Sequence, residues 1–313
     1  MALDVKSIGI VGTGVIGSSW AAFYASKGFV VTLYDVDAQA CRTGRLKAVE
    51  AIGVLRSHGF ISESAEAAGL ANLHEKTDLA AAVRDVQLVQ ESVAENYAVK
   101  HDVYKKLDQL TRPDAVLASS SSGLLMSEIQ KVARFPQRCL IAHPFNPPHL
   151  IPLVELVPGK TTAEPTIRAM KTFYEGLGKI PVVLKKEAPG HLANRLAAAL
   201  WREGIDIVMQ GIASVEDVDK ALCAGPGLRW AIMGQHLIYH LGGGEGGMSA
   251  FLKHFTPAFQ SWWKDMAAWT ELPPEAPSVL TEGVRAEMDG KSLVELTRWR
   301  DEKLIKLLKA IQP

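Results

Sequence analysis

The stretch SIGIVGTGVIGSSW, residues 7–20, constrains the fold of this chain more than any other part of the sequence. It places a Gly-x-Gly-x-x-Gly pattern between a β-branched run, which predicts a strand, and a helical pattern over residues 15–27. Gly12 permits a tight turn, Gly14 lets the backbone approach a phosphate group, and Gly17 lets helix and strand pack closely. A helix that follows a strand through so short a turn predicts a parallel sheet with crossover helices.

The rest of the first half continues this alternation of strands and helices. Further predicted strands are FVVTLYD, VQLVQESV, DAVLASS, RCLIAH, LVELV and KIPVVLKK, and the predicted helices between them include residues 38–58, 96–110 and 167–175. Beyond Lys186 the apolar spacing is helical, starting with a long helix that has Pro189 near its beginning. We therefore predict a Rossmann-type α/β domain with a mostly parallel sheet over residues 1–187, followed by an all-α domain over residues 188–313.

Composition excludes several classes of protein. The 34 lysines and arginines balance 34 aspartates and glutamates, so neither a nucleic-acid surface nor a membrane surface is expected. The three cysteines, Cys41, Cys139 and Cys223, form no CxxC pair, which argues against a disulfide framework and against a metal site. The N-terminus lacks the features of a signal peptide. We expect a cytoplasmic protein with no metal, no nucleic-acid partner and no membrane partner.

The glycine pattern and the strand after it together predict a bound dinucleotide. The second strand ends in Asp35, where a carboxylate accepts hydrogen bonds from an adenosine ribose and repels a 2′-phosphate, so NAD is favoured over NADP. The predicted contacts in this half of the cofactor site are Gly12, Gly14, Val15, Ile16, Gly17 and Asp35. Glu95 and Lys100 follow the next strand of the series, and two interpretations stay open for them: contacts to the nicotinamide half, or an ordinary surface ion pair.

The segment IAHPFNPPHLIPLVELV, residues 141–157, carries His143 and Glu155 in an otherwise apolar run. Its four prolines hold the intervening residues extended, so the chain can turn back and bring the carboxylate to the imidazole. A histidine supported in this way suits the removal of a hydroxyl proton near neutral pH. The competing interpretation is a core histidine bound to a backbone carbonyl, but four serines, residues 119–122, end a strand at the same edge and favour catalysis.

Three motifs, SSSSGL, HPFNPPHLIPLVELV and APGHLANRL, resemble those of the L-3-hydroxyacyl-CoA dehydrogenase superfamily in order and spacing. Within it the chain is most similar to the free-acid branch, which includes lambda-crystallin (L-gulonate 3-dehydrogenase) and bacterial L-carnitine dehydrogenase. The resemblance implies the catalytic residues His143, Glu155, Ser122 and Asn194, with Asn146, Glu95 and Lys100 near the cofactor. SSSSG departs from the Asn-Thr-Ser-Ser that is typical of the acyl-CoA enzymes, so the contacts around the nicotinamide are expected to differ.

Arg229, in the sequence GPGLRW, is predicted to bind the carboxylate of the substrate, since a guanidinium grips a carboxylate through two parallel hydrogen bonds. An arginine exposed on the first turn of a helix is the alternative. The resemblance implies that Ser122, Asn194 and Arg229 together contact the substrate. Tryptophans 230, 262, 263 and 269 are interpreted mainly as core or as part of a homodimer interface, and secondarily as a cage for a quaternary ammonium.

The sequence therefore predicts an NAD-dependent oxidoreductase that acts on the 3-hydroxyl of a small carboxylic acid such as L-gulonate, L-carnitine or L-3-hydroxybutyrate. One alternative is a 3-hydroxyacyl-CoA dehydrogenase, for which the basic residues of the long helix over residues 38–58 would bind CoA. A weaker alternative is a non-catalytic, crystallin-like protein that only binds the dinucleotide. The intact set of four catalytic residues argues against this last possibility.

Overall fold

A computed structural model of the chain describes residues 4–311. The chain divides into two compact units, residues 1–195 and residues 196–313. Within the described residues every strand belongs to the first unit, and the second is built from helices. The predicted fold class, an α/β domain with a mostly parallel sheet followed by an all-α region, is confirmed.

One sheet organises the first unit. Its strands are β1 Ser7–Val11, β2 Val30–Tyr34, β3 Leu73–Lys76, β4 Leu88–Glu91, β5 Val116–Ser119, β6 Cys139–Pro144, β7 Leu153–Pro158 and β8 Ile180–Val183. Their order across the sheet is β3-β2-β1-β4-β5-β6-β7-β8, so the chain runs outward from β1 in one direction and then in the other. The turn after β1 therefore lies where the strand order reverses, which is where such sheets bind ligands.

The pairing of β6 with β7 is antiparallel, whereas the other strand pairs are parallel. Only residues 145–152 connect these two strands, too few for the crossover helix that a parallel pair requires. The register places His143 directly opposite Glu155.

Apolar side chains fill both faces of the sheet because residues along a strand alternate in direction. Ile8 and Ile10 of β1 belong to one buried cluster, and Val11 belongs to a second cluster on the opposite face. In β4, Leu88 belongs to the first of these clusters and Val89 to the second. The helices that cover these faces are α1 Val15–Ser26, α2 Ala38–Ser57, α3 Glu63–Ala71, α4 Leu79–Val83, α5 Tyr97–Leu110, α6 Met126–Ile129 and α7 Glu164–Gly176.

Two local features differ from the sequence-based expectation. The short strand β3 is added at the edge of the sheet, and most of its residues are exposed polar side chains. The long helix near the boundary begins at Ala193 rather than near Pro189. Gly190 and His191 have φ values of 73° and 51°, a left-handed conformation that cannot continue a right-handed helix.

The remaining helices are α8 Ala193–Met209, α9 Val215–Ala224, α10 Pro226–Trp230, α11 Gln235–Gly242, α12 Gly247–Asp265, α13 Ala276–Glu287 and α14 Leu293–Ile311. Many large apolar side chains of the second unit are exposed in the single chain, among them Trp201 at 64%, Trp263 at 63% and Ile232 at 77%. None of the helices formed by the described residues is both long enough and apolar enough to cross a membrane.

Candidate active site

The glycine turn after β1 has the geometry that a dinucleotide site requires. Gly12 has a φ of 90°, and a Cβ placed there would lie 2.6 Å from the carbonyl oxygen of Ser92. A Cβ on Gly17 would collide with the carbonyl of Gly12, whereas Gly14 faces open space. Gly14 is the N-cap residue of α1, and no side chain of the described residues forms a capping hydrogen bond there. The first N–H groups of α1, which include those of Val15 and Ile16, therefore remain available for a phosphate.

Asp35 lies just beyond β2, beside this turn, and its carboxylate is already oriented. Oδ2 accepts hydrogen bonds from the backbone N–H of Thr13 at 2.8 Å and from its hydroxyl at 3.0 Å. Oδ1 accepts only a long hydrogen bond among the described residues, from the Asp37 N–H at 3.4 Å. One carboxylate oxygen is thus fixed by the glycine turn while the other can accept a hydrogen bond from a ribose hydroxyl. These residues fit the adenosine half of NAD.

A cavity of about 430 Å³ opens near the same edge of the sheet. Residues of the first unit line it: Ile16, Ser92, Val93, Glu95, Ser120, Ser122, His143, Pro144, Phe145, Asn146 and Asn194. Six of the site residues expected from the sequence beyond the glycines and Asp35 line the cavity, namely Ile16, Glu95, Ser122, His143, Asn146 and Asn194. Two more, Glu155 and Lys100, lie directly behind them. The wall thus combines the start of α1, the serine segment after β5 and the end of β6.

His143 and Glu155 form a hydrogen-bonded pair in the wall of this cavity. Nδ1 of His143 lies 2.8 Å from Oε2 of Glu155, as their opposite positions in the strand register allow. Because an ionised carboxylate only accepts hydrogen bonds, Nδ1 carries the hydrogen and Nε2 is left as the basic nitrogen. His143 is only 5% exposed and Glu155 is fully buried, so the pair is shielded from bulk water.

Glu155 is held in its ionised form by more than the histidine. Its second oxygen, Oε1, accepts hydrogen bonds from the backbone N–H groups of Leu192 and Ala193, each at 2.9 Å. Burial acts to raise the pKa of Glu155, but the His143 hydrogen bond and these two N–H groups outweigh it, and the pKa is lowered. A carboxylate fixed in this way can stabilise an imidazolium at position 143.

Glu95 shapes the serine segment. Its Oε1 accepts hydrogen bonds from the Ser121 hydroxyl at 2.6 Å, from the Ser122 N–H at 2.8 Å and from the Gly123 N–H at 3.0 Å. Burial acts to raise the pKa of Glu95, but the Ser121 hydroxyl, the Lys100 charge and the two N–H groups together hold it below its usual value. Ser122 is exposed and lines the cavity, and its hydroxyl donates to the same Glu95 oxygen at 3.3 Å.

Lys100 lies behind Glu95 rather than on the cavity wall. It is 1% exposed, and its Nζ donates to Glu91 at 2.7 Å and lies 3.6 Å from Glu95. Glu91, a residue that the sequence reading did not single out, is itself fully buried and also accepts from the Ser119 hydroxyl at 2.6 Å. The Glu95–Lys100 pair is therefore not an ordinary surface ion pair, because Glu95 is exposed but Lys100 is buried together with Glu91 beneath the serine segment.

Asn194 and Asn146 both reach the cavity. The side-chain amide of Asn194 donates to the Ser122 carbonyl at 2.9 Å, which ties the start of α8 to the serine segment. Asn146 is exposed and lies three residues beyond His143. Arg229 is exposed in the last turn of α10, in the second unit, and its predicted role stays a prediction.

The four tryptophans considered as a cage lie in different local environments of the second unit. Trp269 donates its indole N–H to Asp206 at 3.0 Å, and Trp262 packs edge-on against Phe259 at 4.8 Å between ring centroids. Trp230 donates to Gln235. These three rings have three different partners, which favours the packing interpretation over a shared cage.

Lys179 supports the connection over residues 145–152 from behind. It is 6% exposed, and its Nζ donates to the carbonyl groups of Pro148 and Ile151, the latter at 2.7 Å. The ammonium also lies 4.2 Å from the centroid of the Phe23 ring. Burial lowers the pKa of Lys179 to about 7, and the charge of Lys27 acts in the same direction. Nothing in the sequence pattern around Lys179 indicated this burial.

Comparisons with known proteins cover both units. The NAD-binding domain of 3-hydroxyacyl-CoA dehydrogenase matches residues 7–188, and the C-terminal domain of 3-hydroxyacyl-CoA dehydrogenase matches residues 190–278. An L-carnitine dehydrogenase from Bacillus cereus is 40% identical over 99% of this chain and 93% of its own length. An L-carnitine dehydrogenase from Streptomyces coelicolor is 40% identical over 98% of this chain and 95% of its own.

Among solved structures, a similar chain is that of 5-formyl-3-hydroxy-2-methylpyridine 4-carboxylic acid 5-dehydrogenase, described as an NAD⁺-dependent dismutase. It is 29% identical to this chain, with a TM-score of 0.83. The likeness covers 98% of this chain and 97% of that one.

Proposed function

The chain belongs to the 3-hydroxyacyl-CoA dehydrogenase family, and we propose that within it the enzyme acts on L-carnitine or a closely related free 3-hydroxy acid. It is an NAD-dependent oxidoreductase that oxidises the 3-hydroxyl of a small hydroxy acid. The observation that carries the proposal is the buried His143–Glu155 pair in the wall of the cavity. The full-length similarity to L-carnitine dehydrogenases supports the choice of substrate.

His143 is the base in this proposal. Oxidation removes the hydroxyl proton and the hydrogen on carbon 3, and the products are the 3-keto acid, NADH and a proton. Nε2 of His143 takes the hydroxyl proton, and Glu155 stabilises the imidazolium that forms. The chemistry that NAD supplies when bound is acceptance of a hydride from carbon 3.

Ser122 and Asn194 orient the substrate hydroxyl toward Nε2 of His143. Both line the cavity, and the hydrogen bond from the Asn194 amide to the Ser122 backbone carbonyl fixes their separation before substrate binds. Such preorganisation contributes to rate because the reacting groups need no rearrangement. In the free-acid proposal, Asn146 and Glu95 lie toward the nicotinamide half, and Lys100 acts indirectly by holding Glu95 and Glu91.

A panel of substrates tests the proposed activity. NADH formation is measured with L-carnitine, L-gulonate, L-3-hydroxybutyrate and L-3-hydroxybutyryl-CoA, and we expect the highest kcat/KM with L-carnitine. A highest value with the thioester would favour the acyl-CoA alternative instead. Binding of NAD with no turnover of any of the four compounds would favour the non-catalytic, crystallin-like alternative.

Arg229 is proposed to bind the substrate carboxylate. Replacing it with alanine is expected to raise KM for L-carnitine on the order of 10- to 100-fold with little change in kcat, because hydrogen bonds to charged groups contribute about 1.5–3 kcal/mol. The KM of Arg229→Lys should lie between that of the wild type and that of Arg229→Ala, since lysine keeps the charge but not the paired donors. Arg285→Ala, at another exposed arginine of the second unit, is the matched control. An unchanged KM in Arg229→Ala would refute the carboxylate contact.

We also propose that the second unit forms a homodimer and that the enzyme is cytoplasmic. Large exposed side chains such as Trp201, Trp263 and Ile232 support an apolar interface, because soluble monomers seldom expose so much apolar surface. The buried free thiols of Cys41 and Cys139 suit a reducing compartment. A monomer in sedimentation velocity at micromolar concentration would contradict the homodimer.

A further inference from the structure

His191 combines two unfavourable features in one residue. Its φ of 51° lies in the left-handed region, which is uncommon for any residue other than glycine. Its side chain is 1% exposed, and its Nδ1 is buried without a hydrogen-bond partner among the described residues. Both features destabilise the folded chain, and residues that carry such strain cluster at functional sites.

The hydrogen bonding of His191 defines its protonation. Nε2 lies 2.9 Å from the carbonyl oxygen of Ser121, and a carbonyl only accepts, so Nε2 carries the hydrogen. A second hydrogen on Nδ1 would place a charged donor in a buried position without an acceptor. An unpaired lone pair costs less than an unpaired charged N–H group, so this hydrogen bonding favours a neutral imidazole.

The residues next to His191 hold the proposed catalytic groups. The backbone N–H groups of Leu192 and Ala193 bind the carboxylate of Glu155, and the amide of Asn194 binds the carbonyl of Ser122. The hydrogen bond from His191 to Ser121 therefore joins the segment that fixes Glu155 to the segment that carries the serine hydroxyl.

The ring of His191 also lies beside that of His143, with 5.4 Å between the two centroids. When His143 takes up the substrate proton, a neutral neighbour adds no repulsion, whereas a second imidazolium at this distance would oppose the proton transfer. We propose that His191 is a positioning residue for the oxidation, which anchors the Glu155-binding turn to the serine segment and stays neutral beside His143. This inference rests on the proposed role of the His143–Glu155 pair.

The substitution His191→Phe tests this inference, because phenylalanine keeps a planar aromatic ring, somewhat larger than imidazole, and removes both nitrogens. We expect Tm to change little, because the loss of an unpaired buried nitrogen offsets the loss of the hydrogen bond to the Ser121 carbonyl. We expect kcat with L-carnitine and with L-3-hydroxybutyrate to fall by about tenfold or more, because small displacements of reacting groups slow chemistry strongly. KM for NAD should not change, and the deuterium isotope effect with substrate labelled at carbon 3 should rise as the chemical step becomes limiting.

His101→Phe is the matched control. His101 also lies 2.9 Å through Nε2 from a backbone carbonyl, that of Glu128, but it does not line the cavity. Its substitution should leave kcat and the isotope effect unchanged. Long-range ¹H–¹⁵N spectra of histidine-labelled protein give a readout that needs no turnover: the signals lost in His191→Phe should have the pattern of a neutral ring with its hydrogen on Nε2.

Two results would overturn the inference. One is a wild-type kcat and isotope effect in His191→Phe, and the other is a His191 signal from a charged ring or from a ring with its hydrogen on Nδ1. A failure of the proposed function gives a different result. In that case His143→Ala would retain the activity, independently of the result for His191→Phe.

Discussion

Replacing His143 with alanine is expected to lower kcat for L-carnitine oxidation by about 10²–10⁴-fold, the usual contribution of a general base. The side chain lies in the cavity wall with Nε2 free to accept a proton, so its loss leaves the substrate hydroxyl without a nearby base. The rate is followed through NADH absorbance, and NAD binding is followed by titration of protein fluorescence. Binding should persist because the glycine turn and Asp35 are unaltered.

Added imidazole provides a control for this substitution. The space vacated in the cavity wall should admit the free base, and we expect a partial return of activity that saturates with imidazole concentration. A His143→Ala enzyme that reduces NAD as fast as the wild type would remove His143 from the chemistry and leave the cavity without its proposed base.

The substitution Glu155→Gln is expected to lower kcat by up to about 10⁴-fold, the size of the effect when the carboxylate behind a catalytic histidine becomes an amide in serine proteases. The amide oxygen can still accept from Leu192 and Ala193, so its NH₂ group must face Nδ1 of His143. Two donors cannot pair, and the imidazole moves its hydrogen to Nε2. The nitrogen that should take the substrate proton is then already protonated.

The matched control is Glu128→Gln, because Glu128 pairs with Lys131 on the surface rather than with His143. It should change neither kcat nor Tm, since such exposed pairs contribute little. An active Glu155→Gln enzyme with a normal pH dependence would show that His143 does not need its partner.

Local patterns were sufficient to predict the parts of the fold that carry the cofactor. The glycine spacing and the apolar runs beside it correspond to β1, α1 and β2, because strand and helix periods are properties of short windows. The approach of His143 to Glu155 was also predictable, since only eight residues, 145–152, separate the two strands. So short a connection leaves an antiparallel pair as the available geometry.

Features that depend on partners far away in the sequence could not be predicted from local patterns. The strand LHEK is short and mostly polar, and it is a strand only because the backbone of β2 pairs with it. Lys100 resembles a surface lysine in sequence, yet Glu91 from another element makes its burial possible. The local pattern predicts a helix through His191, but its backbone is left-handed and its ring bonds to Ser121, which lies 70 residues away in the chain.

The ammonium of Lys179, surrounded by carbonyl groups and an aromatic ring, bears on the pH at which this enzyme is best suited to work. Its pKa of about 7 lies below the 10.5 of a free lysine, so the unfolded chain holds this proton over a range in which the folded chain has released it. The contribution of Lys179 to the free energy of folding therefore becomes more favourable as the solution moves from neutral toward mildly alkaline, and the gain is lost again on acidification through pH 7. Alcohol oxidation by NAD liberates a proton, so alkaline solution also drives that equilibrium toward the ketone. Mildly alkaline solution thus favours both the oxidation of the alcohol and, through Lys179, the folded state.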